Sequence, residues 1–183
     1  MPRRRQRDGR LINFGFGPRD FFGTFTLDRN WTGSSLGTGL ESLLIGKGDW
    51  DALTAEKPAQ GVNPAPVAHW ISGGGKSEAV PRDKDVFGDG TVVMLDMPGH
   101  TPGHHSLLVK LKSKGNVLLS GDLMHLKENY DTNGVPSFNT NRADTLASLD
   151  RFKKMATNLK ATVIIQHDPR DTGKLPAFPA AAN

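Results

Sequence analysis

Cysteine is absent from all 183 residues of the sequence. Its absence excludes disulfide-stapled scaffolds, thiolate zinc sites, iron–sulfur clusters and cysteine nucleophiles. Any metal ion that the protein binds must therefore be held by histidine and carboxylate side chains.

Long apolar runs are missing as well. No stretch approaches the roughly 18 consecutive apolar residues that a membrane span requires, and no apolar segment follows the basic start as it would in a secretory signal. We therefore expect no membrane contact and, by default, a cytoplasmic location.

Excess positive charge is confined to the first ten residues. The formal net charge is +4, but five of the 23 Lys and Arg residues and only one of the 19 Asp and Glu residues lie in that stretch. The rest of the chain is neutral, so the basic net charge says little about the fold.

An Arg-rich tail could bind nucleic acid, with nearby Phe residues and Trp31 available to stack on bases, but such tails are more often solvated ends. We do not expect a nucleic-acid partner.

The amino-acid composition and the hydrophobic periodicity of the chain change near residue 42. Residues 1–41 are dense in Arg, Gly and Phe without a lasting period, so we predict an atypical segment that could be disordered. The abrupt change also suggests that these residues stem from a wrong start or reading frame. Residues 42–183 read as one domain of mixed helices and strands.

Alternation, turn residues and helical spacing predict the elements of that domain. The predicted strands are 43–45, 67–71 and 162–165, with hairpins over 85–95 and over 106–119; the predicted helices are 49–56 and 142–159. Asn141 and Asp144 are placed as the N-cap of the longer helix and its partner three residues on.

Three residues with metal-binding side chains stand where an apolar strand runs out into a loop. They are His100, Asp122 and His167. The ends of neighbouring strands lie at the same edge of a sheet, so these side chains can come together although they are distant in sequence. Taken singly, each has a plainer interpretation, because a loop histidine is usually solvated and an Asp after a strand is usually a turn former.

Three segments carry a family resemblance. They are P-G-H-T-P-G-H ending at His104, L-L-S-G-D ending at Asp122 and I-I-Q-H-D ending at Asp168. Their order and spacing resemble the last three metal-binding segments of the metallo-β-lactamase superfamily, especially its N-acyl-homoserine-lactonase-like branch. The resemblance covers roughly residues 43–170 and implies an α/β (α+β) fold, the αββα sandwich.

The resemblance also implies residue roles. His100 would be a ligand of the first metal, Asp122 the carboxylate that bridges both metals, and His167 a ligand of the second. The cofactor implied is zinc, and the chemistry is hydrolysis by a metal-activated water, with Asp122 at its centre. His125 lies where lactonases of this kind often carry a substrate-orienting Tyr, so it would donate to the substrate's carbonyl or leaving oxygen; its competing interpretation is a supporting or surface histidine.

Two further histidines receive other roles. His104 resembles the family's second histidine, which is not a ligand and would support its loop by hydrogen bonding. His69 falls in the predicted strand 67–71 and is assigned a structural role.

The family's most diagnostic segment, H-x-H-x-D-H, is missing. That segment supplies four of the seven metal ligands in relatives, yet every histidine here lies at position 69 or later. Where it should stand, residues 26–33 read T-L-D-R-N-W-T-G. The sequence therefore predicts a sandwich that is incomplete in its N-terminal half, and it leaves open whether one or two divalent ions are bound.

Two function classes remain. The first is a metal-dependent hydrolase whose substrate is a small ester or lactone, such as an acyl-homoserine lactone. The second is a non-catalytic or truncated relative that acts as an interaction protein, with an oligomer as one form of such interaction. The sequence does not decide whether this chain turns over.

Overall fold

The structure is a computed structural model and describes residues 11–14, 25–28, 40–59 and 61–175. These residues form two mixed sheets and four α-helices. The first sheet has the strand order β1 (Leu11–Phe14), β2 (Phe25–Asp28), β3 (Leu40–Gly46), β4 (Lys76–Val80). The second has the order β5 (Lys84–Asp85), β6 (Val92–Asp96), β7 (His105–Leu111), β8 (Gly115–Leu119), β9 (Thr162–Ile164). The helices are α1 (Lys47–Leu53), α2 (Ala68–Ile71), α3 (Lys127–Thr132) and α4 (Arg142–Asn158).

The first sheet separates two apolar layers because side chains alternate along β3. Leu44 packs with Val80 against the inner residues of β6 to β9, which forms the core between the sheets. Leu43 and Ile45 point the other way and pack on α1 and α2 through Leu53 and other apolar side chains. One strand thus holds the second sheet on one face and helices on the other.

The second sheet repeats this arrangement on its outer face. Its outward residues Leu95, Leu108 and Leu118 pack with Leu149 and Phe152 of α4. The layers therefore run helix, sheet, sheet, helix, which confirms the predicted αββα sandwich. Asn141 also caps α4 as predicted, since its Oδ1 accepts from the Asp144 N–H at 3.1 Å.

The prediction of a strand over residues 67–71 was wrong. A 3₁₀ turn (Ala65–Val67) leads directly into α2 at this point. The Asn63 side chain accepts from the Ala65 N–H and two prolines preset helical φ values, which favours a helical start. Val67 and Trp70, three residues apart, are buried while His69 is exposed, and this is helical rather than strand periodicity.

The other predicted elements are present with small differences at their ends. Both hairpins form, by β5 with β6 and by β7 with β8. The helix predicted over 49–56 begins two residues earlier and ends three earlier, as α1. Helix α3 was not predicted.

The N-terminal segment contributes β1 and β2 to the first sheet. β2 pairs antiparallel with β3, with Phe25 opposite Leu44 and Asp28 opposite Leu40. Asp28 therefore lies at the end of β3 remote from Gly46. The Arg-rich residues 3–10, Trp31, the T-G pair at 32–33 and the C-terminal residues from 176 lie outside the described residues.

A membrane-crossing helix, one both long and apolar enough, is not found in the described ranges.

Candidate metal centre

The three strand-end segments meet at one edge of the second sheet. β6 and β8 each run antiparallel to β7, and β9 runs parallel to β8, so the C-terminal ends of β6, β8 and β9 share that edge. His100 follows β6, Asp122 sits in the 3₁₀ turn after β8, and His167 follows β9. The fold thus brings these side chains together from three remote stretches of chain.

Four side chains form the cluster, which we call the His/Asp cluster: His100, Asp122, His125 and His167. His167 Nε2 lies 2.5 Å from Asp122 Oδ1, and His125 Nε2 lies 4.0 Å from the same oxygen. His100 Nε2 lies 3.6 Å from Asp122 Oδ2. The Nε2 atom of each ring is therefore turned towards one carboxylate.

Exposure rises across the cluster. The side chains of His100 and Asp122 are 4% and 6% exposed, against 24% for His125 and 42% for His167. The cluster is therefore closed beneath His100 and open to solvent beside His125 and His167.

A chain of hydrogen bonds orients His100. Thr145 Oγ1 donates to the Asn141 carbonyl and accepts from Asn139 Nδ2, which assigns Asn139 Oδ1 as the acceptor facing His100 Nδ1 at 3.1 Å. His100 Nδ1 therefore donates to Asn139, and Nε2 is the ring nitrogen that faces Asp122. A histidine that binds metal through Nε2 commonly has its Nδ1–H held by such an acceptor.

His104 supports Asp122 from below. It is fully buried, accepts from the Asp122 backbone N–H through Nε2 at 2.9 Å, and donates through Nδ1 to the Met97 carbonyl at 2.9 Å. Burial lowers the pKa of His104 to about 4, so the ring is neutral at pH 7. Gly121 makes this contact possible, because it has φ +58° and a Cβ there would lie 2.6 Å from His104 Nε2.

Asp49, at the start of α1, holds the His100 loop (residues 97–104) in place. It is 0% exposed and accepts from Thr101 Oγ1 at 2.8 Å and from the Gly103 N–H at 2.7 Å. Burial raises the pKa of its carboxyl, and the two hydrogen bonds act in the opposite direction. No sequence pattern singles out Asp49, since an Asp in the first turn of a helix is ordinary and only the tertiary contact distinguishes it.

His125 is positioned by aromatic contacts. Its ring stacks on His167 with centroids 4.6 Å apart and meets Phe138 edge-on at 5.1 Å. Burial, opposed by Asp122 and aided by the neighbouring histidines, lowers the pKa of His125 to about 4. Phe138 is 55% exposed and gives the open side of the cluster an apolar edge, which no motif in the sequence indicates.

A bridge of charges joins the His167 segment to α3. Arg170 donates to both oxygens of Asp168 and to both oxygens of Glu128. Asp168 also accepts from the Lys127 N–H at 2.8 Å. The Arg170 guanidinium holds the pKa of Asp168 well below its usual range. The bridge fixes the start of α3, and with it His125, against His167.

The ligand atoms of Asp122, His125 and His167 all lie within 4.8 Å of one another, which is compact enough for one metal ion. His69, by contrast, is exposed on α2 and contacts Trp70 edge-on.

Comparisons with known proteins point to one family. The family model described as the metallo-beta-lactamase superfamily matches residues 48–167, a region that contains α1 except for its first residue and the whole His/Asp cluster. The chain is 38% identical over 85 residues to the N-acyl homoserine lactonase AttM of Rhizobium radiobacter and 37% identical over 100 residues to an N-acyl homoserine lactonase of Bacillus sp.

A crystal structure of a quorum-quenching N-acyl homoserine lactone hydrolase superposes with a TM-score of 0.60 at 26% identity, covering 76% of this chain and 53% of that one. A related structure, with a TM-score of 0.60 at 25% identity, covers 76% of this chain and 52% of that chain and holds the product N-hexanoyl-L-homoserine at its catalytic metal centre.

The matches cover only part of each relative. The aligned regions are 46% of this chain and 32% of the Rhizobium enzyme, and 52% of this chain and 40% of the Bacillus enzyme. The chain therefore spans about a third to two fifths of the curated relatives that it matches.

Proposed function

The chain belongs to the metallo-β-lactamase superfamily, and from that premise we propose that it is a metal-dependent hydrolase whose substrate is a lactone of the acyl-homoserine class. The observation that carries the proposal is that the His100 and His167 rings, from remote parts of the chain, both face the Asp122 carboxylate. The two relatives named above are N-acyl homoserine lactonases, and a structural neighbour holds a ring-opened product at its metal centre.

The residues present fit a divalent metal ion. Imidazole nitrogens and a carboxylate are the donors that zinc prefers when thiolates are absent, so we propose zinc. His100 turns Nε2 towards the carboxylate while its Nδ1 donates to Asn139. When bound, such an ion supplies Lewis-acid polarisation of a carbonyl and activation of water.

The chain's own residues position these groups. His104 fixes the backbone of Asp122, and Asp49 fixes the loop that carries His100. Phe138 offers an apolar surface beside the open side of the cluster, where the hydrocarbon part of a lactone can lie. We assign His104 to support, and His100, Asp122 and His167 to metal binding.

Hydrolysis by the purified full chain tests the proposal. Acid release from an N-acyl homoserine lactone would be followed in a pH-stat, with and without added Zn²⁺, against the spontaneous opening of the ring. We expect metal-dependent turnover that His100→Ala and His167→Ala remove, while His69→Ala on exposed α2 keeps it. Turnover that persists in the presence of chelator, or in His167→Ala, would contradict the proposal.

A non-catalytic interaction protein is the second candidate. It is favoured by the absence of H-x-H-x-D-H from the sequence and by the short span relative to the relatives. A folded chain that binds metal but never accelerates ring opening would favour this candidate over the first.

A further inference from the structure

Asp122 divides the His/Asp cluster into two unequal halves. Its Oδ1 faces His167 and His125, and its Oδ2 faces His100. By resemblance, a bridging carboxylate of this kind would serve one metal on each oxygen. The Oδ1 half holds two imidazoles and the Oδ2 half holds one, among the residues that the structure describes.

The Oδ1 half alone reaches the ligand number of a catalytic zinc site. Such sites use three protein ligands and leave one position open, and Asp122, His125 and His167 are three. In tetrahedral coordination with bonds of about 2.0–2.1 Å, neighbouring ligand atoms lie about 3.3 Å apart. The observed separations from Oδ1, 2.5 Å to His167 and 4.0 Å to His125, bracket that value.

We propose that Asp122, His125 and His167 bind a single divalent metal ion, with His125 acting as a metal ligand that makes up for the missing H-x-H-x-D-H segment. The proposal rests on the metal dependence proposed above and replaces the substrate-orienting role expected for His125 from the sequence. Among the described residues, the Oδ2 half offers His100 and one carboxylate oxygen, fewer than the three protein ligands of a catalytic zinc site. The proposal therefore expects one ion per chain, and it replaces the ligand role given to His100 above: His100 lies beside Asp122 Oδ2 without binding the ion.

The surroundings of His125 let the ring move into place. Its side chain is only partly buried, and so is that of His167, which leaves room for the small rotations that would equalise the two separations. Ring contacts hold it, since its buried Nδ1 has no hydrogen-bond partner among the residues that the structure describes. Metal-binding histidines usually have such an outer partner, so we expect weaker binding than at a fully supported zinc site.

Metal titration of the chelator-treated full chain tests the proposal. Calorimetry with Zn²⁺ and the visible spectrum with Co²⁺ would be recorded for the unaltered protein, His125→Ala and, as a matched control, His69→Ala. We expect one ion per chain in the unaltered protein and in His69→Ala. In His125→Ala the affinity should fall at least about 100-fold, the upper end of what loss of an outer hydrogen-bonding partner costs.

The same titration separates a ligand from a substrate-orienting group. If His125 only orients substrate, His125→Ala keeps the metal affinity and raises KM for the lactone, which overturns the proposal. Binding of two ions per chain also overturns it. Loss of metal in His125→Ala supports the proposal even if no lactone is ever hydrolysed, so its outcome is distinct from that of the proposed function.

A measurement on the unaltered protein guards against misfolding of the variant. With ¹⁵N-labelled histidine, ring-nitrogen spectra would be recorded before and after one equivalent of Zn²⁺. The proposal predicts that the Nε2 signals of His125 and His167 change to the positions of coordinated nitrogens while His69 stays unchanged. A His125 spectrum that is unaltered by bound zinc would overturn it.

Discussion

Individual side chains in this site act largely through backbone groups that they hold. His104 joins the Met97 carbonyl to the Asp122 N–H, and Asp49 joins α1 to Thr101 and Gly103. Both residues are fully buried, so the groups they satisfy have no access to water if the side chain is removed. Their loss is therefore expected to cost stability as well as function.

His104→Ala should lower the free energy of unfolding by about 2–5 kcal/mol, since two buried backbone groups lose their partners. Urea unfolding with chelator present measures this cost without a contribution from metal. The exposed His69→Ala serves as control and should stay within about 0.5 kcal/mol of the unaltered protein. Equal stabilities for the two variants would contradict the role given to His104.

Asp49→Ala should cost about 2–3 kcal/mol, because the Thr101 hydroxyl and the Gly103 N–H lose their acceptor. Asp49→Asn keeps an acceptor oxygen and should cost less. Asp51 lies on the same helix in an exposed ion pair with Lys47 at 2.6 Å, so Asp51→Ala is the matched control, with an expected change below about 1 kcal/mol. Urea midpoints that rank Asp51→Ala as the more damaging change would contradict this account.

At the scale of elements, the ends of three strands were the predictable part of the site. His100, Asp122 and His167 follow apolar runs in the sequence, and β6, β8 and β9 place their C-terminal ends on one edge. Asp49, Asn139 and Phe138 could not be predicted, because their roles arise from contacts between elements that no local pattern records. The error at residues 67–71 was local, since a short apolar run does not distinguish a strand from one helical turn.

The ion pairs of Arg170 with Asp168 and Glu128 connect the His167 segment to α3 and so position His125 against His167. Arg170→Ala should weaken metal binding by about 10-fold or more, as loss of supporting contacts around metal sites commonly does. It should also lower the free energy of unfolding, because the Asp168 side chain is 0% exposed and loses the guanidinium that pairs with it. The exposed pair with Glu128 should contribute little to that loss.

Calorimetric metal titration of Arg170→Ala beside Lys154→Ala checks this, since Lys154 forms an exposed pair with Asp150 at 2.7 Å on α4, away from the bridge. Similar metal affinity in both variants would show that the bridge does not position the ligands.

For the whole molecule, metal binding and folding should be linked. The ligands come from segments that are adjacent only in the folded chain, so a bound ion stabilises the native state over the unfolded one. Three of the sandwich's four layers contribute to the site. The second sheet supplies the His/Asp cluster, α1 holds the His100 loop through Asp49, and α4 holds Asn139 through Thr145.

Zinc in 100-fold excess over its dissociation constant should raise the free energy of unfolding by about 2.7 kcal/mol. Thermal unfolding of the full chain with zinc and with chelator measures the effect. In His167→Ala the two curves should coincide, whereas His69→Ala should keep the shift. An unaltered protein that unfolds at the same temperature under both conditions would contradict the proposed site.

Anomalous diffraction at the zinc absorption edge, from crystals of the unaltered protein grown with zinc, would locate the bound ion and identify its ligands. The account predicts one strong peak per chain at about 2.0–2.2 Å from Asp122 Oδ1 and from the Nε2 atoms of His125 and His167. No peak there, or a peak held by other side chains, would contradict it.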